Sequence, residues 1–251
     1  MSITQIFYDN LASQYDKLFL DWQATTQEQA VILDKLFVSN GFDKSAHILD
    51  CACGIGTQAI GLAAIGYNVT GSDISDGEIA EAKERAKKNN VKVSFEHANF
   101  CALSDTFTKQ FDIVIAMDNA LPHMLSHDVL SSAIASITGR MKKNGIFVAS
   151  IRDYDALLME KPPYSPPYIH KTASGQRVSF QTWNWEEDRY KLIQYIIDDG
   201  KTLQASKFEC EYRATRRKEI TDLLLANGCN DAVWLFPEDT EFYQPIVVAK
   251  K

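Results

Sequence analysis

The segment that most constrains the fold is a short apolar run, His47–Asp50, followed by a loop of small residues with two glycines and then by a helix. Gly54 and Gly56 allow the backbone to turn sharply and to come within contact distance of a ligand. The helix is predicted to begin with Thr57 as its N-cap. A second apolar run follows and ends at Asp73. These segments predict a β-α-β unit whose first loop faces a ligand.

The two acids of this unit indicate which ligand the loop binds. The segment Gly54–Ala59 satisfies the dinucleotide fingerprint G-x-G-x-x-G/A, so the glycines alone do not distinguish ligands. Asp73, at the tip of the second strand, is placed to accept both hydroxyls of a ribose. Asp50 would add negative charge beside a pyrophosphate, whereas it is favourable beside the sulfonium and ammonium of S-adenosylmethionine (SAM). The unit favours SAM, and a nucleotide- or NAD-binding protein without methyl transfer stays as the alternative from another class.

The order of the elements predicts an α/β fold. Strands and helices alternate through about the first 150 residues, which indicates a parallel sheet with helices on both faces. After Asp153, a proline-rich loop and three runs of period two indicate an antiparallel insertion. These runs span residues 177–185, 189–197 and 203–213. A helix over about 216–226 and an antiparallel pair over 231–248 then close a Rossmann-like, seven-stranded sheet. The insertion therefore follows strand five.

The chain is expected to form a single domain over residues 1–251. Within it we expect an N-terminal helical lid over residues 1–40 and a substrate-capping antiparallel insertion over residues 160–214. No internal repeat and no low-complexity linker divides the sequence. The sequence is compatible with both a monomer and a homodimer.

Composition narrows the class of partner. A formal net charge of −7 and the lack of a long basic run argue against binding to nucleic acid. No stretch is long and apolar enough to span a bilayer. An odd number of cysteines, five, and no secretory leader favour a reducing, cytoplasmic location. Cys51 and Cys53 form a C-x-C pair, but the other cysteines lack ligand spacing, so no metal is predicted. A small-molecule substrate is expected.

Four segments, taken in order, resemble the class I SAM-dependent methyltransferases, and within them the glycine and sarcosine N-methyltransferases. The segments are Leu49–Gly56, His97–Phe100, Asp118–His123 and Ile151–Leu158. The resemblance covers nearly the whole chain. It implies the seven-stranded class I methyltransferase sheet, SAM as cofactor, and N-methylation of glycine, sarcosine or a similar small amine that carries a carboxylate.

The resemblance also implies residues for the cofactor. Asp73 would bind the ribose, Asn99 and Phe100 the edge and face of the adenine, and Tyr8 and Tyr15 the methionine part. The remaining implied cofactor positions are Ala52, Gly54, Gly56, Ile74 and Met117. The glycine-specific enzymes use a lid arginine for the cofactor carboxylate, whereas this chain has no arginine before Arg85. Lys17, a hydroxyl of Thr25 or Thr26, or backbone donors must take that role.

For the acceptor, the resemblance implies Asn119 after strand four, Arg152 after strand five, and Tyr212. Arg152 would clamp a carboxylate through a forked hydrogen bond and favour the neutral form of a nearby amine. A strong general base is then not required, and His123 need not be catalytic. The alternative is another small-molecule acceptor, a hydroxyl or an aromatic amine, in a pocket lined by Trp183 and Trp185.

Overall fold

Two β-sheets organise the chain in the computed structural model, which describes residues 2–173 and 175–251. The strands are β1 (His47–Asp50), β2 (Asn68–Asp73), β3 (Ser94–His97), β4 (Phe111–Ala116), β5 (Met141–Ser150), β6 (Tyr168–Thr172), β7 (Gly175–Glu186), β8 (Arg189–Asp199), β9 (Leu203–Arg213), β10 (Asp231–Leu235) and β11 (Ile246–Lys250). The main sheet has the order β3-β2-β1-β4-β5-β11-β10. The second sheet has the order β6-β7-β8-β9.

The main sheet confirms the predicted fold class. Strands β1 to β5 pair in parallel, whereas β11 pairs antiparallel with β5 and β10 antiparallel with β11. Central strand β4 reads Phe-Asp-Ile-Val-Ile-Ala and is buried at every position except Asp112. Such an apolar run is typical of a parallel strand covered on both faces. The carboxyl ends of the parallel strands therefore meet at one edge, which is where ligands bind in this architecture.

Helices cover both faces of the main sheet. They are α1 (Ile3–Leu11), α2 (Trp22–Ser39), α3 (Thr57–Ala64), α4 (Asp76–Lys88), α5 (His127–Gly139), α6 (Tyr154–Glu160), α7 (Arg217–Ala226) and α8 (Pro237–Thr240). Successive strand residues alternate between two apolar clusters: Ile48, Ile113 and Val148 belong to one, Leu49, Val114 and Phe147 to the other. In the described ranges, no helix combines the length and the apolar character needed to cross a bilayer.

The start of α3 corrects one prediction. Gly56, with φ of 89°, occupies the N-cap position in place of Thr57, because the loop must turn through the left-handed region there. Thr57 is the first helical residue, and its hydroxyl oxygen accepts a hydrogen bond from the indole N–H of Trp22 at 3.0 Å. A Cβ built on Gly56 would lie 2.8 Å from Cδ1 of Ile60. The positive φ and this close contact together make any side chain at position 56 strained.

The N-terminal segment, residues 3–18, connects the two sheets. It comprises α1 and a 3-10 helix, Ala12–Leu18. On one side Oδ1 of Asp9 accepts hydrogen bonds from the hydroxyl of Ser75 at 2.6 Å and from the N–H of Gly77 at 3.0 Å, both at the start of α4. On the other side Nζ of Lys17 lies 2.9 Å from a carboxylate oxygen of Asp198 in β8. The segment is thus held at both ends over the space between the sheets.

The second sheet, called here the capping sheet, has one strand more than the three predicted. The extra strand is β6, which pairs antiparallel with β7 at the end of the proline-rich loop. The loop is itself tied to the sheet, since Ser165 N–H donates to the carbonyl of Gln181 at 2.9 Å. Prolines lack the N–H that a ladder needs, so the sequence pattern concealed a strand that begins directly after Pro167.

Candidate active site

The glycine loop and the end of β2 form one unit. Gly54 has φ of 51°, and its N–H donates to Oδ2 of Asp73 at 2.9 Å. The other oxygen of Asp73 accepts from the N–H of Ser75 at 3.0 Å. Burial raises the pKa of Asp73, partly offset by these backbone hydrogen bonds. The predicted ribose residue is therefore held rigidly beside the loop by two backbone donors.

Two further acids beside this loop have no hydrogen-bond partner with good geometry in the described chain. The side chains of Asp50, at the end of β1, and Glu78, in the first turn of α4, are fully buried. Burial raises the pKa of both carboxyls, and the negative charge of Asp73 raises each further. The nearby backbone N–H groups of Ala52 and Ala59 partly offset this rise for Asp50, and the charge of Arg85 does so for Glu78. Carboxylates left without donors favour a cationic or hydroxyl-rich ligand. SAM, with a sulfonium, an ammonium and a ribose, fits this donor-poor acidic site.

The remaining predicted cofactor residues lie at the same edge of the main sheet. Asn99 follows β3 and caps a 3-10 helix through a hydrogen bond from Cys101 N–H at 2.9 Å, and Phe100 beside it is half-buried. Ile74 and Ala52 are half-buried in the loops after β2 and β1, and Met117 is buried directly after β4. The structure brings these positions to one edge.

A cavity of about 970 Å³ lies next to this edge, under the N-terminal segment and the capping sheet. Tyr8 and Tyr15 of the N-terminal segment and Tyr212 of the capping sheet line it. Asn119 and Arg152, which follow β4 and β5, line it from the main sheet. Its volume is at the upper end of the range for pockets that hold drug-sized ligands. Three predicted acceptor residues and two predicted cofactor residues therefore share one cavity.

Arg152 lies half-buried on the cavity wall within a neutral shell. Nη1 donates to the hydroxyl of Tyr190 at 2.8 Å and Nη2 to Oε1 of Gln181 at 2.9 Å. The guanidinium carbon is 5.0 Å from the ring centre of Trp183 and 5.6 Å from that of Tyr212. In the described chain, no carboxylate lies within ion-pair distance of this guanidinium. Its charge is therefore available to an anionic group in the cavity.

Asn119 holds Arg152 in place. Oδ1 of Asn119 accepts from the backbone N–H of Arg152 at 3.0 Å, and its Nδ2 donates to the hydroxyl of Tyr154 at 2.9 Å. That hydroxyl lies 2.8 Å from the hydroxyl of Tyr190. Asn119 has φ of 70° in the turn after β4. Asn119, Tyr154 and Tyr190 therefore form a polar chain that fixes the arginine, with one N–H of the Asn119 amide left over.

Tyr190 and Gln181 of this wall have no role in the sequence-based prediction, and Asp118 appears there only as the start of the segment Asp118–His123. Tyr190 lies directly opposite Tyr212 in the β8–β9 register, and Gln181 also accepts from the indole N–H of Trp183 at 3.0 Å. Asp118 accepts hydrogen bonds from Gln58 Nε2 and from the Tyr243 hydroxyl, each at 2.8 Å. Alternation of apolar and polar residues in the insertion signals which face turns inward, but not which side chains meet across the sheets.

His123 forms the contact between the N-terminal segment and the capping sheet. Its Nε2 lies 2.9 Å from the hydroxyl of Tyr8, and its ring centre is 4.1 Å from that of Tyr212. Burial, with a smaller contribution from the charge of Arg152, lowers the pKa of His123 to about 3. The imidazole is therefore neutral at neutral pH and orients the Tyr8 hydroxyl.

This shift predicts a pH dependence of stability. The unfolded chain binds a proton at His123 below about pH 6.5, whereas the folded chain does not. The free energy of unfolding should therefore fall as the pH drops from 6.5 towards 4, by up to about 1.4 kcal/mol per pH unit from this group. Urea unfolding across this range tests it. His123→Gln should flatten the profile; a slope equal to that of the wild type would contradict the assignment.

In the described residues, no group of three or more histidine, cysteine, aspartate or glutamate side chains has the geometry of a metal site. All five cysteines are free thiols. Cys51 and Cys53 are buried, and burial raises their pKa well above the ordinary thiol value. They pack as small apolar side chains near the glycine loop.

Known proteins resemble this chain in both sequence and structure. A methyltransferase-domain family matches residues 48–145, the part that contains the glycine loop and β1 to β4. A glycine/sarcosine N-methyltransferase from Aphanothece halophytica is 24% identical over 252 residues, which is 98% of this chain and 89% of that protein.

Two solved structures share the fold over almost the whole chain. A SAM-dependent methyltransferase from Clostridium acetobutylicum superposes with a TM-score of 0.74 at 18% identity and covers 97% of each chain. CalS10, an amino pentose methyltransferase from Micromonospora echinaspora solved with SAM bound, gives a TM-score of 0.73 at 14% identity and covers 90% of this chain and 91% of its own.

Proposed function

The chain is a SAM-dependent methyltransferase that acts on a small molecule, and on that premise we propose that its acceptor is glycine, sarcosine or a similar small amine that carries a carboxylate. The observation that carries this proposal is Arg152, a cavity-wall cation whose side-chain hydrogen bonds go only to neutral groups. An arginine whose protein partners are all neutral is stabilised most by an anionic group on the ligand, because no protein carboxylate balances its charge. A carboxylate on the acceptor provides that anion.

The catalytic contribution of the chain is positional and electrostatic. Bound SAM supplies a methyl group on a cationic sulfur, which an amine with a free lone pair can accept. Arg152 would orient the acceptor by binding the acceptor's carboxylate. The hydrogen bonds that link Asn119, Tyr154 and Tyr190 keep the guanidinium fixed. The positive charge of Arg152 lowers the pKa of a nearby ammonium and so favours the neutral amine. Neutral His123 adds no charge to the cavity.

The cofactor assignment extends to residues of the lid. Asp73 would bind the ribose hydroxyls, Asn99 and Phe100 the adenine, and Tyr8 and Tyr15 the methionine part. Lys17 is already paired with Asp198 and Gln14, which argues against it as the ligand of the methionine carboxylate. Thr25 lines the cavity on the same side. The N–H groups of Ala24 and Thr25 already donate to Asp21, so we assign the methionine carboxylate to the hydroxyl of Thr25.

The volume of the cavity favours a second candidate, a larger amine. About 970 Å³ exceeds what a two-carbon amino acid and the methionine part of SAM would fill. The amino pentose methyltransferase that shares the fold acts on an amino sugar, and Trp183 offers an apolar wall to a ring. In this alternative Arg152 would bind an anionic group attached to the sugar.

Acceptor specificity separates the two candidates. With purified protein and SAM, we expect S-adenosylhomocysteine (SAH) to form with glycine or sarcosine and at least about 100-fold more slowly with methylamine, because methylamine lacks the carboxylate that Arg152 would bind. Amino sugars serve as the second set of acceptors. If amino sugars are methylated and neither glycine nor sarcosine is, the second candidate replaces the first. Equal rates with glycine and methylamine would contradict the binding of an acceptor carboxylate by Arg152.

A further inference from the structure

Glu78 is a buried acid for which the fold itself offers no hydrogen-bond donor. It lies in the first turn of α4 and is 0% exposed, and neither carboxylate oxygen has a partner in the described chain. Leaving a charged group without hydrogen bonds in the interior is costly, so such a group persists where a ligand or a function uses it.

The local sequence would normally give this side chain a partner. Ser75 and Glu78 form an S-x-x-E capping box, in which the glutamate reaches back to the N–H of the serine. Here the serine does its part, because its hydroxyl accepts from the N–H of Glu78 at 3.0 Å. The N–H of Ser75, however, donates to Oδ1 of Asp73 at 3.0 Å. The capping role of the Glu78 carboxylate is therefore taken by Asp73.

Neighbouring side chains are also engaged elsewhere. The N–H of Gly77 donates to Asp9 at 3.0 Å. Arg85, two turns along α4, lies 3.5 Å from Asp16 and 3.4 Å from Glu81 through Nη2. Nε of Arg85 is buried without a hydrogen-bond partner in the described chain, and the charge of Arg85 partly offsets the rise that burial and Asp73 cause in the pKa of Glu78. No described cation, however, lies within ion-pair distance of the Glu78 carboxylate.

Glu78 faces the glycine loop from the side of α4. A Cβ built on Gly54 would lie 3.5 Å from Oε2 of Glu78. The N–H of the same glycine donates to Asp73 at 2.9 Å. Two carboxylates therefore converge on Gly54: each oxygen of Asp73 already accepts one backbone N–H, whereas both oxygens of Glu78 are free of donors.

We propose that Glu78 is a second ribose-binding residue, whose carboxylate accepts a hydrogen bond from one hydroxyl of the bound cofactor while Asp73 binds the other. The inference rests on the proposed position of Asp73 at the ribose, but not on the identity of the methyl acceptor. A ribose presents two adjacent hydroxyl donors, and each would then have its own carboxylate. This arrangement gives the site discrimination against cofactors that lack one hydroxyl.

The test is calorimetric titration of SAH and of its 2′-deoxy and 3′-deoxy forms, which requires no methyl acceptor. We expect the wild-type protein to bind one deoxy form at least about tenfold more weakly because a charged hydrogen bond is lost. Glu78→Met should bind SAH about tenfold more weakly and should bind SAH and that deoxy form equally. Glu78→Gln, which keeps the shape, should show a smaller loss of the same discrimination. The exposed Glu84→Gln on the same helix is the control.

Stability separates a ligand-binding role from a structural one. Because Glu78→Met removes a buried carboxylate without donors, the ligand-free variant should melt at the wild-type temperature or above it, while the SAH-induced rise in melting temperature should shrink. Wild-type affinity for SAH in the methionine and glutamine variants would overturn the proposal. The proposal would also be overturned if Glu78→Met discriminated between SAH and both deoxy forms as strongly as the wild-type protein, whatever the change in melting temperature. Failure of glycine as acceptor would leave this outcome unaffected.

Discussion

We expect Arg152→Met to lower kcat/KM for the carboxylate-bearing acceptor by at least about 100-fold and to change the Kd for SAH by no more than about twofold. Among the described residues that line the cavity, Arg152 is the one with a cationic side chain. The two side chains that accept its hydrogen bonds and the two aromatic rings beside its guanidinium are all neutral. Truncating one partner of a desolvated charge pair costs about 2–5 kcal/mol, which sets the expected size. The measurement is steady-state SAH formation together with calorimetric SAH binding.

Two further variants refine this prediction. Arg152→Lys keeps the charge but cannot bond Tyr190, Gln181 and a carboxylate at once, so it should recover only part of the activity. Arg189→Met removes an exposed arginine at the start of β8 and should leave both quantities unchanged. If Arg152→Met weakens SAH binding as much as it lowers kcat/KM, the arginine supports the cofactor side and the carboxylate clamp is wrong.

We expect Asp73→Asn to weaken SAH binding by about 100-fold. The carboxylate accepts one backbone N–H on each oxygen, from Gly54 and from Ser75. Asparagine has a single acceptor oxygen and would turn its NH₂ towards one of those donors, so the loop loses a support and the ribose loses a charged acceptor. The charged hydrogen bond lost to the ribose, worth about 1.5–3 kcal/mol, corresponds to a loss of about 10- to 150-fold in affinity and so supports a loss of this size. Calorimetry measures the affinity, and the melting temperature with and without SAH reports on the loop.

The matched control is Asp76→Asn, which removes an exposed acid at the start of α4, the helix that follows Asp73. It should leave SAH binding within about twofold of wild type. Wild-type SAH affinity in Asp73→Asn would show that the acid at the end of β2 only supports the loop, and the ribose assignment would fall.

Much of the main sheet could be predicted from sequence because its signals are local. β4 is an almost continuous apolar run, and Gly54 and Gly56 mark the turn that follows β1. The strand β6 was missed because it begins after two prolines, where sequence signals of a ladder are weakest. The cap of α3 was assigned one residue late because a left-handed glycine takes the place of a side-chain cap.

Topology predicts the strand-end residues of the site, whereas Tyr8, Tyr15 and Tyr212 could be predicted only from the family resemblance. Asn119 and Arg152 follow β4 and β5, neighbours in a parallel sheet, so their closeness follows from strand order. Tyr190 and Gln181 lie 38 and 29 residues along the chain from Arg152, in strands whose register depends on the hairpin turns. Glu78 illustrates a different limit: the capping-box pattern is present, but tertiary structure gives its donor to Asp73.

The capping sheet leaves the main fold after β5 and returns before α7 as one uninterrupted stretch of chain. It carries Gln181, Tyr190 and Tyr212, whereas Asp50, Gly54 and Asp73 belong to the β-α-β unit near the start of the main sheet. Asn119 follows β4, but the rest of the acceptor wall and the cofactor loop occupy separate, contiguous parts of the coding sequence. Evolution can exchange or remodel the stretch between β5 and α7 without disturbing the cofactor loop, and a laboratory swap of the same stretch is the natural route to new acceptors on this scaffold.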